Sequence, residues 1–232
     1  MQDNMYTDGR YLRRNPGWGL EDAPFKAAFI NGLLRRNDIH PEEIIEIGCG
    51  SGAILEILSK NKEVALLKGY DISPQAINIA NRIHSDKIKF YNEDILQMNG
   101  YHTDLLLVID VFEHVNDFYT MLRRIRKRST HFIFHIPLDL SCRTLFKPQV
   151  LLQQREAVGH IHYFSRDMVE WMLKDAGFTI IDWMYTGSES DRGLDRSVKG
   201  KIKKVLRKIS FLISRDLSAK LWGGYSMMIL AK

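Results

Sequence analysis

The segment Glu46-Ile47-Gly48-Cys49-Gly50-Ser51-Gly52 constrains this chain more than any other. Glu43 to Ile47 reads as a short β-branched strand, and Ala53 to Leu58 opens a helix. Three alternating glycines therefore fall at a strand-to-helix junction. Glycine permits positive φ and close backbone approach, and the helix behind the turn offers free N–H donors at its first turn. Ligands of open α/β sheets dock beyond the carboxyl ends of the strands, where this turn falls. The segment predicts a ligand site.

The flanking pattern predicts the frame around it. Val64 to Tyr70 reads as a strand, and Ser73-Pro74 gives an N-cap followed by proline at the first helical position. That helix places Ile77, Ala80 and His84 along one side. Lys87 to Tyr91 is a strand, and Leu105 to Ile109 is a continuous apolar run within a strand over 104–110, as expected for burial on both faces. Asn116 is read as the cap of a helix through Arg126, and His131 to Ile136 as the next strand. Ser165 caps a helix ending at Gly177, followed by strands at Phe178 to Tyr185 and Tyr225 to Ala231. In front of the sheet, Phe25, Ala28, Phe29, Leu33 and Leu34 repeat at helical spacing over 22–36. The alternation predicts an α/β fold, a doubly wound and mostly parallel sheet with helices on both faces.

With 232 residues, 45% of them hydrophobic, the chain is long enough for one such core. No apolar run approaches the ~20 residues needed to span a bilayer, and the first fourteen residues do not read as a signal peptide. Cys49 and Cys142 are too few and too separated for a disulfide framework, which fits a cytoplasmic location. The net charge of +5 is concentrated in 123–128 and 199–208. Neither basic patch comes with a zinc-finger, base-stacking or helix-turn-helix signature, so nucleic acid is not the expected partner.

The glycine turn alone leaves two ligands open. Gly48-x-Gly50-x-x-Ala53 also fits a relaxed dinucleotide fingerprint, and Asp71 after the second strand could accept ribose hydroxyls from NAD or from S-adenosylmethionine. The chain around it resembles the class I S-adenosylmethionine-dependent methyltransferases, in their type 11/23 branch. The resemblance rests on five segments in order: Glu46 to Gly52; Asp71-Ile72 in Gly69-Tyr-Asp-Ile-Ser-Pro74; Asn92-Glu-Asp94-Ile95; Leu107-Val-Ile-Asp110-Val-Phe-Glu113-His114-Val115; and Gly159-His160-Ile-His162-Tyr-Phe-Ser165. It runs from about Glu43 to Tyr185.

That resemblance implies a Rossmann-like seven-stranded sheet whose last strand, Tyr225 to Ala231, inserts antiparallel. It implies S-adenosylmethionine as cofactor, with S-adenosylhomocysteine as product. Glu46, Gly48, Cys49, Gly50 and Gly52 would face the methionine portion, Asp71 and Ile72 the ribose, and Asp94 and Ile95 the adenine. Asp110 would complete the cofactor site from strand four. About forty residues lie between Tyr185 and Tyr225, where the family connection is short. The departure bears on the acceptor side.

For catalysis, Glu113, His114 and His160 are the candidates. His114 could take a proton from a hydroxyl acceptor or serve a structural role. Asp110, Glu113, His114 and His160 together resemble the magnesium site of small-RNA 2′-O-methyltransferases, and ubiquinone-pathway O-methyltransferases carry a similar acid-x-x-Glu-His element. Carboxylate and imidazole ligands suit a divalent ion that lowers a hydroxyl pKa, although Asp110 is shorter than the glutamate of those enzymes. His162, two residues beyond His160 in an extended segment, is expected to point elsewhere.

The expected organisation is an N-terminal lid and helix (1–38), the core (39–185), a basic helical insertion (186–222) and a last core strand (223–232). Tyr11 and Trp18 either close over the cofactor or pack on the domain, and packing is the expected state. In the insertion, Val198, Ile202, Val205, Leu206, Ile209, Leu212 and Ile213 form an apolar stripe beside Lys199, Lys201, Lys203, Lys204, Arg207 and Lys208. The stripe is expected to pack on the domain or on a second subunit in a homodimer; the alternative is peripheral contact with an anionic membrane. The function that follows is O-methylation of a small molecule or glycan hydroxyl. A nicotinamide-dependent oxidoreductase would need a substrate domain or a Tyr-x-x-x-Lys element, and neither is found. A non-catalytic cofactor-binding protein is the third reading.

Overall fold

The structure is a computed structural model and describes residues 5–98, 100–187, 205 and 209–232. Its centre is one seven-stranded sheet: β1 (Glu43–Ile47), β2 (Leu66–Tyr70), β3 (Ile88–Tyr91), β4 (Thr103–Ile109), β5 (Ser129–Leu138), β6 (Ile180–Gly187) and β7 (Tyr225–Ala231). The spatial order is β3-β2-β1-β4-β5-β7-β6. β7 runs antiparallel to both of its neighbours, β5 and β6, while the pairings among β1 to β5 are parallel. The sheet and its inverted last strand are those the sequence predicted.

Side chains alternate across the sheet, as the two-residue period of a strand requires. Leu106, Val108, Phe132 and Phe134 pack on one face, against Leu122 and Ile125 of α5 (Phe118–Ile125) and Val169 and Leu173 of α8 (Arg166–Asp175). Leu105, Leu107 and Ile133 pack on the other, against Ile30 and Leu33 of α2 (Ala23–Arg36), Leu55 of α3 (Ala53–Leu58) and Ile77 of α4 (Pro74–Ala80). Both faces of β4 are thus buried, which is why its sequence is uniformly apolar.

Several local expectations are corrected. On α2 the buried stripe is Ala23, Ala27, Ile30, Leu33 and Leu34, so Ala28 is exposed and Phe25 and Phe29 are half-buried. The large aromatics had drawn the reading toward a neighbouring face. α4 ends at Ala80, leaving His84 exposed beyond it. Asp117, rather than Asn116, caps α5 by accepting from the Thr120 N–H. Four helices among the described residues were not foreseen: α1 (Arg10–Arg14), α6 (Cys142–Phe146), α7 (Gln149–Ala157) and α9 (Arg215–Trp222). Ser141 and Thr144 form a capping box that starts α6, a signal present in the sequence.

Of the basic insertion, residues 198–204 and 206–208, including all its named lysines and Arg207, lie outside the described residues. Residues 209–213 are helical. Phe211 stacks on Tyr225 with ring centroids 5.2 Å apart, while Leu212 and Ile213 are 86% and 76% exposed. The described part of the stripe is therefore not buried against the domain. Among the described residues no helix is long and apolar enough to cross a membrane.

Candidate active site

Strand order reverses between β1 and β4, so their carboxyl ends splay apart and open a crevice at the switch point. The glycine turn, Asp71, Asp110 and Glu113, and Asp139 follow the carboxyl ends of β1, β2, β4 and β5. The glycine turn follows β1 with Gly48, Gly50 and Gly52 at φ of +69°, +53° and +74°. At Gly50 a side chain is excluded twice, by that φ and because a Cβ would lie 2.6 Å from the Trp18 ring.

Asp71, just past β2, braces this turn. Its Oδ2 accepts from the Gly50 N–H at 2.9 Å and its Oδ1 from the Ser73 N–H at 2.8 Å. Burial raises its pKa, and the two amides oppose that shift. Each oxygen keeps a further lone pair, so the carboxylate can hold the turn and still accept ribose hydroxyls. Glu46 is fully buried in β1, with Oε2 lacking a hydrogen-bond partner, and desolvation pushes its pKa well up. Cys49 is buried against Gly69, and its thiol is pushed up by burial as well. Ile72 is exposed at the crevice. Asp94 is exposed and caps a short 3₁₀ turn (Ile95–Gln97) through the Leu96 N–H, while Ile95 is buried beneath it.

The N-terminal segment lies across these loops. Tyr6, Tyr11 and Trp18 form a ladder with ring centroids 5.1 and 4.7 Å apart. Gln75 donates to the Thr7 carbonyl at 2.8 Å, and Asn15 donates to the carbonyl of Ala157. Trp18 thus packs on the domain, and the place it packs is the glycine turn.

Past β4, the structure brings Glu113, His114 and His160 together and leaves Asp110 apart. Their ligand atoms lie within 4.8 Å of one another. Asp110 is turned away at φ +54°, where its carboxylate meets Lys26 Nζ at 2.6 Å and the His135 Nδ1–H. These two partners hold its pKa far below the usual carboxylate range against the opposing effect of burial. His162 also leaves the cluster, bonding the Val115 carbonyl.

The hydrogen bonds fix which ring nitrogens face inward. Tyr6 donates its hydroxyl hydrogen to the Val158 carbonyl at 2.9 Å, so it can only accept from His114 Nδ1, 2.8 Å away. The Gly159 carbonyl, 3.3 Å from the same nitrogen, is also an acceptor. His160 Nδ1 faces the Asp139 carboxylate at 2.7 Å. Both rings therefore carry hydrogen on Nδ1, and both present the Nε2 lone pair to Glu113 Oε1 at 3.9 Å. Desolvation and the neighbouring His160 lower the His114 pKa to about 4, which keeps the ring neutral.

Glu113 is the third acceptor. It is completely buried, and its own backbone N–H lies near the carboxylate without completing a hydrogen bond, so both oxygens are unpartnered among the described residues. Burial and the negative Asp110 raise its pKa strongly. With Glu113 ionised, three acceptors converge with no donor between them. Their spacing is too long for direct hydrogen bonds but wide enough for an ion with ligand bonds of about 2.0–2.2 Å. The residues fit a divalent cation.

Four contributors were not foreseen: Lys26, Tyr6, His135 and Asp139. Lys26 carried a signal, since it lies three residues from Ala23 and four from Ile30, beside the buried stripe. Asp139 follows β5, which extends two residues beyond its expected end. Tyr6 gave no sequence signal.

A sheet of this order, its antiparallel β7, a glycine turn braced by the β2 acid and a polar cluster after β4 define an S-adenosylmethionine-dependent methyltransferase of class I. Residues 22–182 match the family model described as "Methyltransferase domain", and the chain belongs to that family. The plantazolicin methyltransferase BpumL in complex with S-adenosylhomocysteine superposes over 100% of this chain and 93% of that one, with a TM-score of 0.64 and 18% identity. Magnesium protoporphyrin IX methyltransferase from Synechocystis PCC 6803, with the same product bound, covers 99% and 96% at a TM-score of 0.61 and 16% identity. Among curated proteins, "Ubiquinone biosynthesis O-methyltransferase" of Yersinia pestis (strain Pestoides F) is 22% identical over 158 residues, 64% of this chain. The chain spans about half the length of that relative, 53%. The cofactor is S-adenosylmethionine, and the nicotinamide reading is set aside.

Proposed function

We propose that the protein transfers the methyl group to a hydroxyl oxygen of a small molecule or glycan, beside a divalent cation held by Glu113, His114 and His160. The observation that carries this reading is the convergence of the buried Glu113 carboxylate, when ionised, with the Nε2 atoms of the half-buried His114 and His160. A bound cation would lower the pKa of the acceptor hydroxyl and orient its oxygen. The sulfonium is already activated, so the remaining work of the protein is to align acceptor and donor in line. The O-methyltransferase name of the Yersinia relative supports an oxygen acceptor. His114 as general base is the second reading, and a pKa near 4 makes it a weak one at neutral pH.

Turnover of radiolabelled S-adenosylmethionine against a panel of catechols, nucleosides and sugars tests the proposal. Chelation is expected to abolish transfer, and Mg²⁺ or Mn²⁺ to restore it, with cofactor affinity unchanged. Full activity after exhaustive chelation would reject the cation and leave a histidine base.

A further inference from the structure

Asp139 stands just beyond β5, buried, and its two oxygens have different partners. Oδ2 accepts from His160 Nδ1 at 2.7 Å, and Oδ1 accepts from the Gln154 side-chain amide of α7 at 2.8 Å. Asp139 itself lies outside the Glu113, His114 and His160 cluster. We infer that Asp139, steadied by Gln154, is a positioning residue that locks His160 in its Nδ1–H tautomer and so aims the Nε2 lone pair at the proposed cation site. The inference rests on the cation reading for its purpose, though the tautomer can be tested without it.

The physical reason lies in the one-way character of a carboxylate. An ionised carboxylate can only accept, so the ring nitrogen facing it must carry the hydrogen. The other nitrogen is then bare, and the imidazole becomes a better ligand through the negative charge behind it. Gln154 contributes by holding the second oxygen, which fixes the plane of the carboxylate and with it the rotation of the ring. His114 reaches the same tautomer by other means, through the carbonyl of Gly159 and the hydroxyl of Tyr6. A carboxylate thus stands behind only one of the two imidazoles, that of His160.

Asp139→Asn keeps the shape and reverses the logic. The Gln154 amide would still donate to the oxygen of the new side chain, turning its NH₂ toward His160 Nδ1. That nitrogen would have to accept, moving the ring hydrogen to Nε2 and into the cluster. Two measurements read this out. Long-range ¹H–¹⁵N spectra of histidine-labelled protein, assigned with His160→Gln, report the His160 tautomer. Electron paramagnetic resonance with Mn²⁺ alone reports affinity for the cation.

In the wild type His160 is expected as the Nδ1–H form. In Asp139→Asn the Nε2–H form should gain, with Mn²⁺ binding weakened about 10- to 100-fold. Binding of S-adenosylhomocysteine should stay unchanged as the control for folding. Gln154→Leu, which leaves the carboxylate in place but frees its plane, should keep the Nδ1–H form and weaken Mn²⁺ binding by a smaller factor; Asp139→Ala, which removes the acceptor with the side chain, should lose the preference for Nδ1–H and decides the matter if Asp139→Asn does not fold. A wild-type His160 in the Nε2–H form, or an unchanged tautomer in the Asp139 variants, overturns the inference. Wild-type protein that binds no Mn²⁺ overturns the cation reading instead, while the spectra still decide the role of Asp139.

Discussion

Lys26 Nζ lies 2.6 Å from Asp110 Oδ2, joining the first turn of α2 to the carboxyl end of β4. The same carboxylate accepts from His135 on β5, whose other ring nitrogen bonds Thr186 on β6 at 2.8 Å. One chain of polar contacts thus ties a helix and three strands together directly beneath the active site. It also explains why Asp110 does not join the cluster three residues later: its oxygens are already engaged.

Removing the lysine leaves a half-buried carboxylate with one partner fewer. Lys26→Met is expected to cost about 3 kcal/mol in urea unfolding at pH 7. The Asp110 pKa is depressed in the folded state, so its contribution is present above the ordinary carboxylate range and is lost as pH falls through that range toward the depressed value. Wild-type stability should therefore fall on acidification more steeply than that of Lys26→Met. Equal slopes between pH 7 and pH 3 would show that the ion pair contributes nothing.

Cofactor binding should depend on Asp71 and Gly50 for different reasons. Asp71→Ala loses the acceptor for ribose hydroxyls and also the brace on the Gly50 N–H. At about 1.5–3 kcal/mol for a hydrogen bond to a charged group, affinity for S-adenosylhomocysteine should drop at least tenfold by calorimetry. Gly50→Val forces a side chain toward Trp18 at a backbone conformation that valine avoids, and binding should be lost. Wild-type affinity in either variant would remove the glycine turn from the cofactor site.

Trp18 touches Gly50, so its fluorescence should report the cofactor. Titration with S-adenosylhomocysteine is expected to change the tryptophan emission, and Trp18→Phe should abolish most of that change although Trp171, Trp183 and Trp222 remain. A signal that persists in Trp18→Phe would place the response elsewhere.

Glu113 is expected to trade stability for function. Its two oxygens are buried and unpartnered, whereas an amide can donate to the histidine nitrogens that surround it. Without a cation and at a pH where Glu113 is ionised, Glu113→Gln should be more stable than the wild type by about 1–3 kcal/mol, and it should no longer bind Mn²⁺. A destabilised variant would mean that the carboxylate is satisfied in solution by other means.

The exposed stripe before α9 gives a further test. If Leu212 and Ile213 lie in a membrane interface together with the adjacent lysines, the protein should sediment with anionic but not neutral vesicles. Lys201→Glu, Lys203→Glu and Lys204→Glu combined, or high salt, should weaken that binding. Absence of sedimentation at low salt together with dimer in ultracentrifugation would assign the stripe to a subunit contact.

The sheet was legible because each strand carries its own local signal. Burial on both faces makes Leu105 to Ile109 continuously apolar, and the need for positive φ puts glycine at 48, 50 and 52. The bounds of β1 and β7 follow from such signals alone. So does the place of Asp71, since a ligand turn at the end of one strand is served by the residue that ends its neighbour. Tertiary structure decided what depended on side chains far apart in sequence. Asp110 and Glu113 are three residues apart and chemically alike, yet one is neutralised by Lys26 and the other has no hydrogen-bond partner among the described residues. The tautomer of His114 is set by Tyr6, 108 residues away, and that of His160 by Asp139 beyond a strand end the pattern did not reach. A sequence motif can nominate a carboxylate or an imidazole, but its charge and its proton depend on which distant groups the fold brings within about 3 Å.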